Sequence, residues 1–342
     1  MTSLPSTLPS SRHTPLRGGP TLRWGVLAPG RIANAWVSTV HANTDQRVVA
    51  VASRSAERAA AFASQHGIAR SYGDYAALVG DPEVDIVYIA APHSEHRALA
   101  EMATAAGKHV LIEKPIATNA EDAEAIAAAA RSAGVFAMEA MWSRFLPQTT
   151  VLRQLLDDGA LGAPRQVAAD FGARFPFDPH SRAFDPALGG GSLLDLGVYT
   201  VWFSGFVLGL EPARVTAHGS LAVTGVDEQA VVTLDYGTAT AVASSSMVAH
   251  TPIGATIGAE GAVVSFQSPF CGVGGFTVTA GEERLDWRDP APLIWNDGLC
   301  YQVTAAAAHV AAGRTEAPEH PLEQSIQQLR IIDEARRQLG AA

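Results

Sequence analysis

The chain has 342 residues, 47% of them hydrophobic and 17% charged, and carries a formal net charge of −10. That length exceeds one ordinary core and suits two domains, and the composition excludes a disordered or collagen-like chain. An acidic balance, with pI near 5.5, excludes the basic face of a nucleic-acid binder, and no apolar run reads as long enough to span a bilayer.

Residues 1–22 are rich in Pro, Ser and Gly, lack the apolar stretch of a signal peptide, and read as a disordered tail on a cytoplasmic protein. Cys271 and Cys300 are the only cysteines and have no ligand cluster beside them, so neither a disulfide framework nor a metal site is expected.

Order begins at the apolar strand Arg23-Trp24-Gly25-Val26-Leu27, followed by the turn Ala28-Pro29-Gly30 and a helix over 31–41. Val48 to Ala52 is a second strand, with an Ala-rich helix over 55–66, and a minor strand lies near Ser71-Tyr72. Asp85 to Ala90 and His109 to Glu113 are further strands, followed by helices over 94–106 and 119–133, and Val135 to Met138 is the last of the series. Near-continuous apolar strands separated by helices mean βαβ units and a buried parallel sheet. Right-handed crossovers make this a doubly wound Rossmann domain, whose ligands sit beyond the carboxyl ends of the strands.

The first turn suits a pyrophosphate. Gly30 lets the backbone approach phosphates, Ala33 is small enough for helix and strand to pack, and a helix starting at Arg31-Ile32 offers free N–H groups and a positive dipole end. Ala28 stands where the G-x-G-x-x-G/A fingerprint has its first Gly, so the turn by itself is equally a tight βα connection. After the second strand comes Ser53-Arg54-Ser55, with Arg58 one turn on, where an NAD enzyme has Asp or Glu. A hydroxyl and guanidinium groups with no carboxylate suit the 2′-phosphate of NADP, although a solvated surface arginine is the ordinary alternative.

Ala91-Pro92-His93 follows the third major strand and is expected to border the nicotinamide, with His93 and His96 lining the site unless they are structural. Glu113-Lys114-Pro115 closes the strand HVLIE and puts Lys114 at the ligand-binding edge of the sheet, where an ammonium can stabilise a developing alkoxide. Farther on, Gly189-Gly190-Gly191 leads into a helix from Ser192 to about Leu208. Asp195 and Tyr199 then share one face near its start. A carboxylate there can orient a substrate hydroxyl, and a Tyr can exchange the carbonyl proton if a cation such as Lys114 lowers its ordinary pKa of about 10. An acid complementing the helix dipole and a core Tyr are the plainer alternative. Trp142 and Phe171 offer flat walls for a ring, or simply core packing, and Arg174 and His180 lie in the loop before the glycines, from which they could reach substrate.

Across 165–177 and 213–285 the pattern changes to short alternating strands punctuated by glycines, which means an antiparallel sheet, and helices return at 298–312 and from Pro321 to Leu339. The expected division is a nucleotide domain over 23–142 and an α+β domain over 143–342, with substrate between them.

Four stretches occur in order: Gly25 to Ala33, Ala91 to His96, Glu113-Lys114-Pro115, and Gly189 to Tyr199. Together they resemble the glucose–fructose oxidoreductase/inositol dehydrogenase/MocA family over residues 23–340. Many members have His where this chain has Tyr199. That Tyr, with Met138 to Phe145, is most similar to the trans-dihydrodiol dehydrogenase and NADP-dependent D-xylose 1-dehydrogenase branch. The resemblance implies an open-faced, mainly antiparallel second sheet used for self-association as a homodimer or homotetramer, and a catalytic lysine and aspartate at Lys114 and Asp195. It also implies an NADP-dependent aldose 1-dehydrogenase, with keto-sugar reduction or diol oxidation as alternatives. A nucleotide-sensing regulator without turnover is the rival of another class, but would leave Lys114, Asp195 and Tyr199 without a task.

Overall fold

The computed structural model describes residues 5–291 and 293–342, and all counts below are of those residues. The chain divides into two compact units. One comprises residues 13–145 and 296–326, the other residues 5–12, 146–291, 293–295 and 327–342.

The first unit holds a six-stranded, all-parallel sheet in the order β3-β2-β1-β4-β5-β6. Its strands are β1 (Arg23–Leu27), β2 (Arg47–Ala52), β3 (Arg70–Tyr72), β4 (Ile86–Ile89), β5 (His109–Glu113) and β6 (Ala137–Ala140). Apolar runs such as Ile86–Ile89 are buried at every position, as a sheet covered on both faces requires. The crossover helices are α1 (Arg31–Asn43), α2 (Ala56–His66), α3 (Tyr75–Val79), α4 (His96–Ala105) and α5 (Ala120–Ala133). Local chemistry sets several of their ends. The Ser55 and Asn119 side chains accept from the Arg58 and Asp122 N–H groups, and Gly67 and Gly134 close the same helices with φ of 65° and 64°. Over the sheet, Trp36 of α1 stacks on Tyr88 of β4 with ring centroids 4.2 Å apart, and Trp24 meets it edge-on at 5.2 Å.

The second unit begins with α6 (Pro147–Asp157) and contains an eight-stranded sheet in the order β14-β13-β12-β11-β7-β10-β9-β8. These strands are β7 (Pro164–Gly172), β8 (Arg214–Leu221), β9 (Asp227–Asp235), β10 (Thr240–Ser246), β11 (Ala255–Ala259), β12 (Val263–Phe266), β13 (Gly275–Ala280) and β14 (Glu283–Arg288). Only β7 and β10 pair in parallel. On β7, Val167, Ala169 and Phe171 are buried while the alternating Gln166 and Ala168 are exposed, so one face carries the core and the other is open. Helix α7 (Val198–Leu208) packs on β7 and β10 on the covered side.

Three expectations change. Residues 296–326, with helix α8 (Leu299–Ala311) and the start of α9 (Leu322–Leu339), belong with the parallel sheet rather than with the second domain. The Ala137 N–H donates to the Thr315 carbonyl and α8 packs on α1, long-range pairings that no local pattern announces. The stretch 5–22 is not a disordered tail: Arg17 and Gly18 bind the Asp45 carboxylate, and the Leu22 N–H donates to Gln46. Residues 1–4 lie outside the described residues. Finally, one stretch, Pro186–Leu208, is long and apolar enough to cross a bilayer, with mean hydropathy 1.3, but 83% of that window is buried in the protein, where it forms the core of the second unit.

Candidate functional site

The strand order reverses between β1 and β4, and the carboxyl ends of these strands are where an open α/β sheet takes its ligand. After β1 the chain turns through Ala28, at φ 61°, then Pro29 and Gly30. Ala28 thus adopts the left-handed backbone that the fingerprint reserves for its first Gly. Gly30 and Arg31 are exposed, Ile32 is half-buried, and a Cβ built on Gly30 would meet nothing closer than the Ala28 carbonyl at 3.9 Å. Helix α1 has no side-chain cap and no acidic residue in its first turn, whereas α2, α3 and α5 are each capped by a side chain. Its first N–H groups and dipole end are left for an anion, so the residues present fit a dinucleotide pyrophosphate.

At the end of β2, the Ser53 hydroxyl accepts from the Ser55 N–H, while Arg54 and Arg58 are exposed. The structure corrects one expectation here, because a carboxylate is present: Glu95 lies 3.9 Å from the Arg54 guanidinium. Tyr75 belongs to the same cluster. Burial raises its pKa, with Arg54 and Arg58 pulling the other way and Glu95 adding to the rise.

Beyond β4, Ala91 is buried, Pro92 is half-buried, and residues 93–95 form one 3₁₀ turn before α4. His93 is buried and meets His96 edge-on at 5.8 Å. His96 is not placed to contact a cofactor. It is fully buried, with Nδ1 3.0 Å from the Pro115 carbonyl and Nε2 3.0 Å from the Ala91 carbonyl, so it ties the turn after β4 to the turn after β5. Burial lowers its pKa from 6.5 against the pull of those carbonyls. The native state therefore binds fewer protons at His96 than the unfolded chain does, and its contribution to stability is present above pH 6.5 and lost as pH falls below it. His41, His66 and His109 shift in the same direction. The urea midpoint should thus fall between about pH 7.5 and about pH 5.5, and His96→Gln should flatten that slope. An unchanged slope would show that His96 is protonated in the native state.

Lys114 follows β5 and is half-buried, and the Lys114–Pro115 peptide is cis. Its N–H donates to the Glu113 carboxylate at 3.2 Å, which also accepts the Tyr88 hydroxyl at 2.5 Å. Glu113 is buried, so it braces the turn beneath Lys114. Trp142, in a 3₁₀ segment after β6, is 4% exposed.

In the second unit, Gly191 leads into a π-helical turn over Leu193–Gly197 and then α7. Sequence periodicity suggested a simple α-helix, whereas a π turn carries Asp195 and is a frequent companion of functional sites. The turn is anchored from below by Asp227, whose Oδ2 accepts from the Ser192 hydroxyl and the Leu193 N–H, both at 2.7 Å. Burial raises the pKa of Asp227 despite those bonds. Asp195 is nearly buried and receives Arg182 Nη2 at 3.1 and 3.3 Å from its two carboxylate oxygens. Tyr199 is 7% exposed, with the Phe171 ring 5.6 Å away. Arg174 lines a groove of about 790 Å³ with Phe177, Phe184, Val248 and His250. His180 is exposed and its N–H donates to Asp178.

Sequence reasoning missed Arg182 and Glu95. Arg182 stands two residues from His180 in the loop already singled out, and a buried acid at a helix start is a sign that a counter-charge is near. No local signal pairs Glu95 with Arg54, because their strands β4 and β2 meet only through β1. Among the described residues no group of three His, Cys, Asp or Glu is arranged to hold a metal ion.

The sheet order and the uncapped first helix define a dinucleotide-binding domain. Residues 22–141 match the oxidoreductase family with an NAD-binding Rossmann fold, and residues 149–264 match the GFO/IDH/MocA C-terminal domain. The chain belongs to the glucose–fructose oxidoreductase/inositol dehydrogenase/MocA family. It is 37% identical over 326 residues to the trans-1,2-dihydrobenzene-1,2-diol dehydrogenase of Xenopus tropicalis, covering 93% of this chain and 98% of that one. Among solved structures it resembles an aldose–aldose oxidoreductase of Caulobacter crescentus complexed with glycerol, at 26% identity and TM-score 0.84 over 93% of this chain and 97% of that one. It also resembles a 3-ketoreductase of Actinomadura kijaniata complexed with NADP and TDP-benzene, at 27% identity and TM-score 0.77 over the same shares.

Proposed function

We propose that the protein is an NADP-dependent dehydrogenase of sugars or related polyols, acting on a carbon that alternates between CH–OH and C=O. The observation that carries this reading is Lys114 at the carboxyl end of β5, in a sheet whose first turn and uncapped α1 suit a dinucleotide. Gly30, Arg31 and Ile32 would hold the pyrophosphate, Ser53, Arg54 and Arg58 the 2′-phosphate, and Ala91 to His93 would border the nicotinamide. When bound, NADP supplies the hydride acceptor, or as NADPH the donor.

Lys114 donates a hydrogen bond to the reacting oxygen and stabilises the charge that grows there as its proton leaves. Tyr199 takes that proton in oxidation and returns it in reduction. Asp195, its charge offset by Arg182, accepts a hydrogen bond from a neighbouring hydroxyl, and Phe171 and Trp142 offer apolar faces to a ring. For an aldose oxidised at its first carbon the product is the lactone. The relative named for a trans-dihydrodiol favours a second reading, oxidation of a cyclic vicinal diol. The open face of the eight-stranded sheet, where Val231 and Val263 are 44% and 47% exposed, would serve self-association.

The structure complexed with NADP supports the cofactor choice, as do Arg54 and Arg58. Arg54→Ala should weaken NADP about 10–100-fold, the worth of one charge-assisted hydrogen bond, and leave NAD unaffected. Equal losses for both nucleotides would place Arg54 elsewhere. A panel of aldoses, cyclic polyols, keto-sugars and cyclic diols, run in both directions and followed at the reduced-nicotinamide absorbance band, tests the reaction class. Tight NADP binding with no turnover anywhere in the panel would leave a nucleotide sensor instead.

A further inference from the structure

Glu139, at the end of β6, is 1% exposed, yet it is a carboxylate far from the surface. Its Oε1 accepts the Ile116 N–H at 3.0 Å, and its Oε2 accepts the Ser325 hydroxyl at 2.6 Å and faces His320 Nε2 at 2.9 Å. His320 and Ser325 are each 1% exposed. Burial works against ionisation of Glu139, but His320, Ser325 and the Ile116 N–H outweigh it and hold the carboxyl below its usual range.

A buried pair of this kind is costly to assemble, and apolar residues of similar size are often at least as stable. Its position suggests what it achieves. The Pro115 carbonyl and the Ile116 N–H belong to one peptide group. His96 Nδ1 faces that carbonyl at 3.0 Å, and Glu139 accepts that N–H. The peptide one residue beyond Lys114 is therefore gripped at both ends by fully buried side chains, which leaves the backbone little freedom to rotate Lys114 away from its direction.

We propose that Glu139, held by His320 and Ser325, is a positioning residue that fixes the aim of Lys114 through the Pro115–Ile116 peptide. The inference rests on the reading that Lys114 touches the reacting oxygen. A misplacement of about 1 Å at such a group can cost about 10²-fold in rate without weakening binding.

The test compares the intact protein with Glu139→Gln, which keeps an acceptor for the Ile116 N–H, and with the double variant Glu139→Leu/His320→Leu, which removes the polar pair together. Should the double variant not fold, Glu139→Asp keeps the charge for His320 and Ser325 while drawing the carboxylate back from Ile116. Four readouts are needed: hydrogen exchange at the Ile116 amide, kcat, KM, and the NADP dissociation constant. Glu139→Gln should keep the amide protected and kcat near wild type. The double or Asp variant should lose protection at Ile116 and lose kcat about 10–100-fold, with KM and NADP affinity unchanged. Unchanged exchange at Ile116, or faster exchange with an unchanged kcat, overturns the proposal. Lys114→Met separates the two layers. If it turns over normally the catalytic reading itself fails, and if it is inactive while the Glu139 variants are not, only the positioning role fails.

Discussion

Lys114→Met is expected to lower kcat by about 10²–10³-fold, the usual loss when one donor to a developing oxyanion is removed. NADP affinity should stay close to wild type, because on the proposed reading the pyrophosphate and ribose ends are held by the turn after β1 and by Ser53 and Arg54, away from Lys114. Substrate KM should change little, because the bond from Lys114 strengthens only as charge grows on the oxygen. The split is specific. A merely structural lysine would lower the melting temperature and leave kcat per folded molecule intact, and a simple binding lysine would raise KM first. Tyr199→Phe should resemble Lys114→Met in kcat but leave a residual rate that rises with pH as hydroxide replaces the missing base.

The second large effect concerns stability. Gly191 has φ of 118°, and a Cβ built there would lie 2.4 Å from the Asp227 Oδ1 atom. Gly191→Ala therefore meets two penalties, a backbone that L side chains rarely adopt and a clash with a buried carboxylate. Strain and overpacking of this kind cost about 1–3 kcal/mol each, so the loss should be about 2–6 kcal/mol, or a melting temperature lower by on the order of 5–20 °C. Asp227 cannot step aside cheaply, because it already accepts Ser192 and Leu193 and so anchors the π turn that carries Asp195. Adding Asp227→Ser to Gly191→Ala should recover the contact part of the loss but not the backbone part. Gly274→Ala, which meets nothing within 4 Å, is the control and should be close to neutral. A Gly191→Ala protein as stable as wild type would mean that this turn relaxes freely, and the rigid placement of Asp195 would then be untenable.

Much of this was legible in the sequence, for reasons that differ by residue. Buried strands such as Ile86–Ile89 are uniformly apolar, and the crossover helices α2, α3 and α5 carry side-chain caps, so the βαβ series and its sheet follow from local pattern alone. Lys114 is visible because a strand end is a definite place in such a sheet. Arg54 and Arg58 are visible because they follow the end of β2, where an NAD enzyme has an acid. What stayed hidden is what depends on distant chain meeting in space. Glu95 beside Arg54, Arg182 on Asp195, and Glu139 between Ile116 and His320 pair residues 41, 13 and up to 181 positions apart. The sequence leaves His96 open between lining the site and a structural role, and burial with both nitrogens facing backbone carbonyls decides for the structural one. Residues 296–326 were placed with the second domain because helices there follow a run of strands, whereas the Ala137–Thr315 hydrogen bond joins that segment to the parallel sheet.

The central claim, that this chain moves a hydride from a CH–OH carbon to NADP, is tested most directly by isotope transfer. The protein is incubated with NADP+ and an aldose or cyclic diol deuterated at the carbon to be oxidised, and the nicotinamide product is weighed by mass spectrometry. The account predicts NADPH carrying the deuterium from wild-type protein, a primary isotope effect on the rate, and little labelled product from Lys114→Met. Oxidised substrate with unlabelled NADPH, or labelled NADPH formed at the wild-type rate by Lys114→Met, would contradict it.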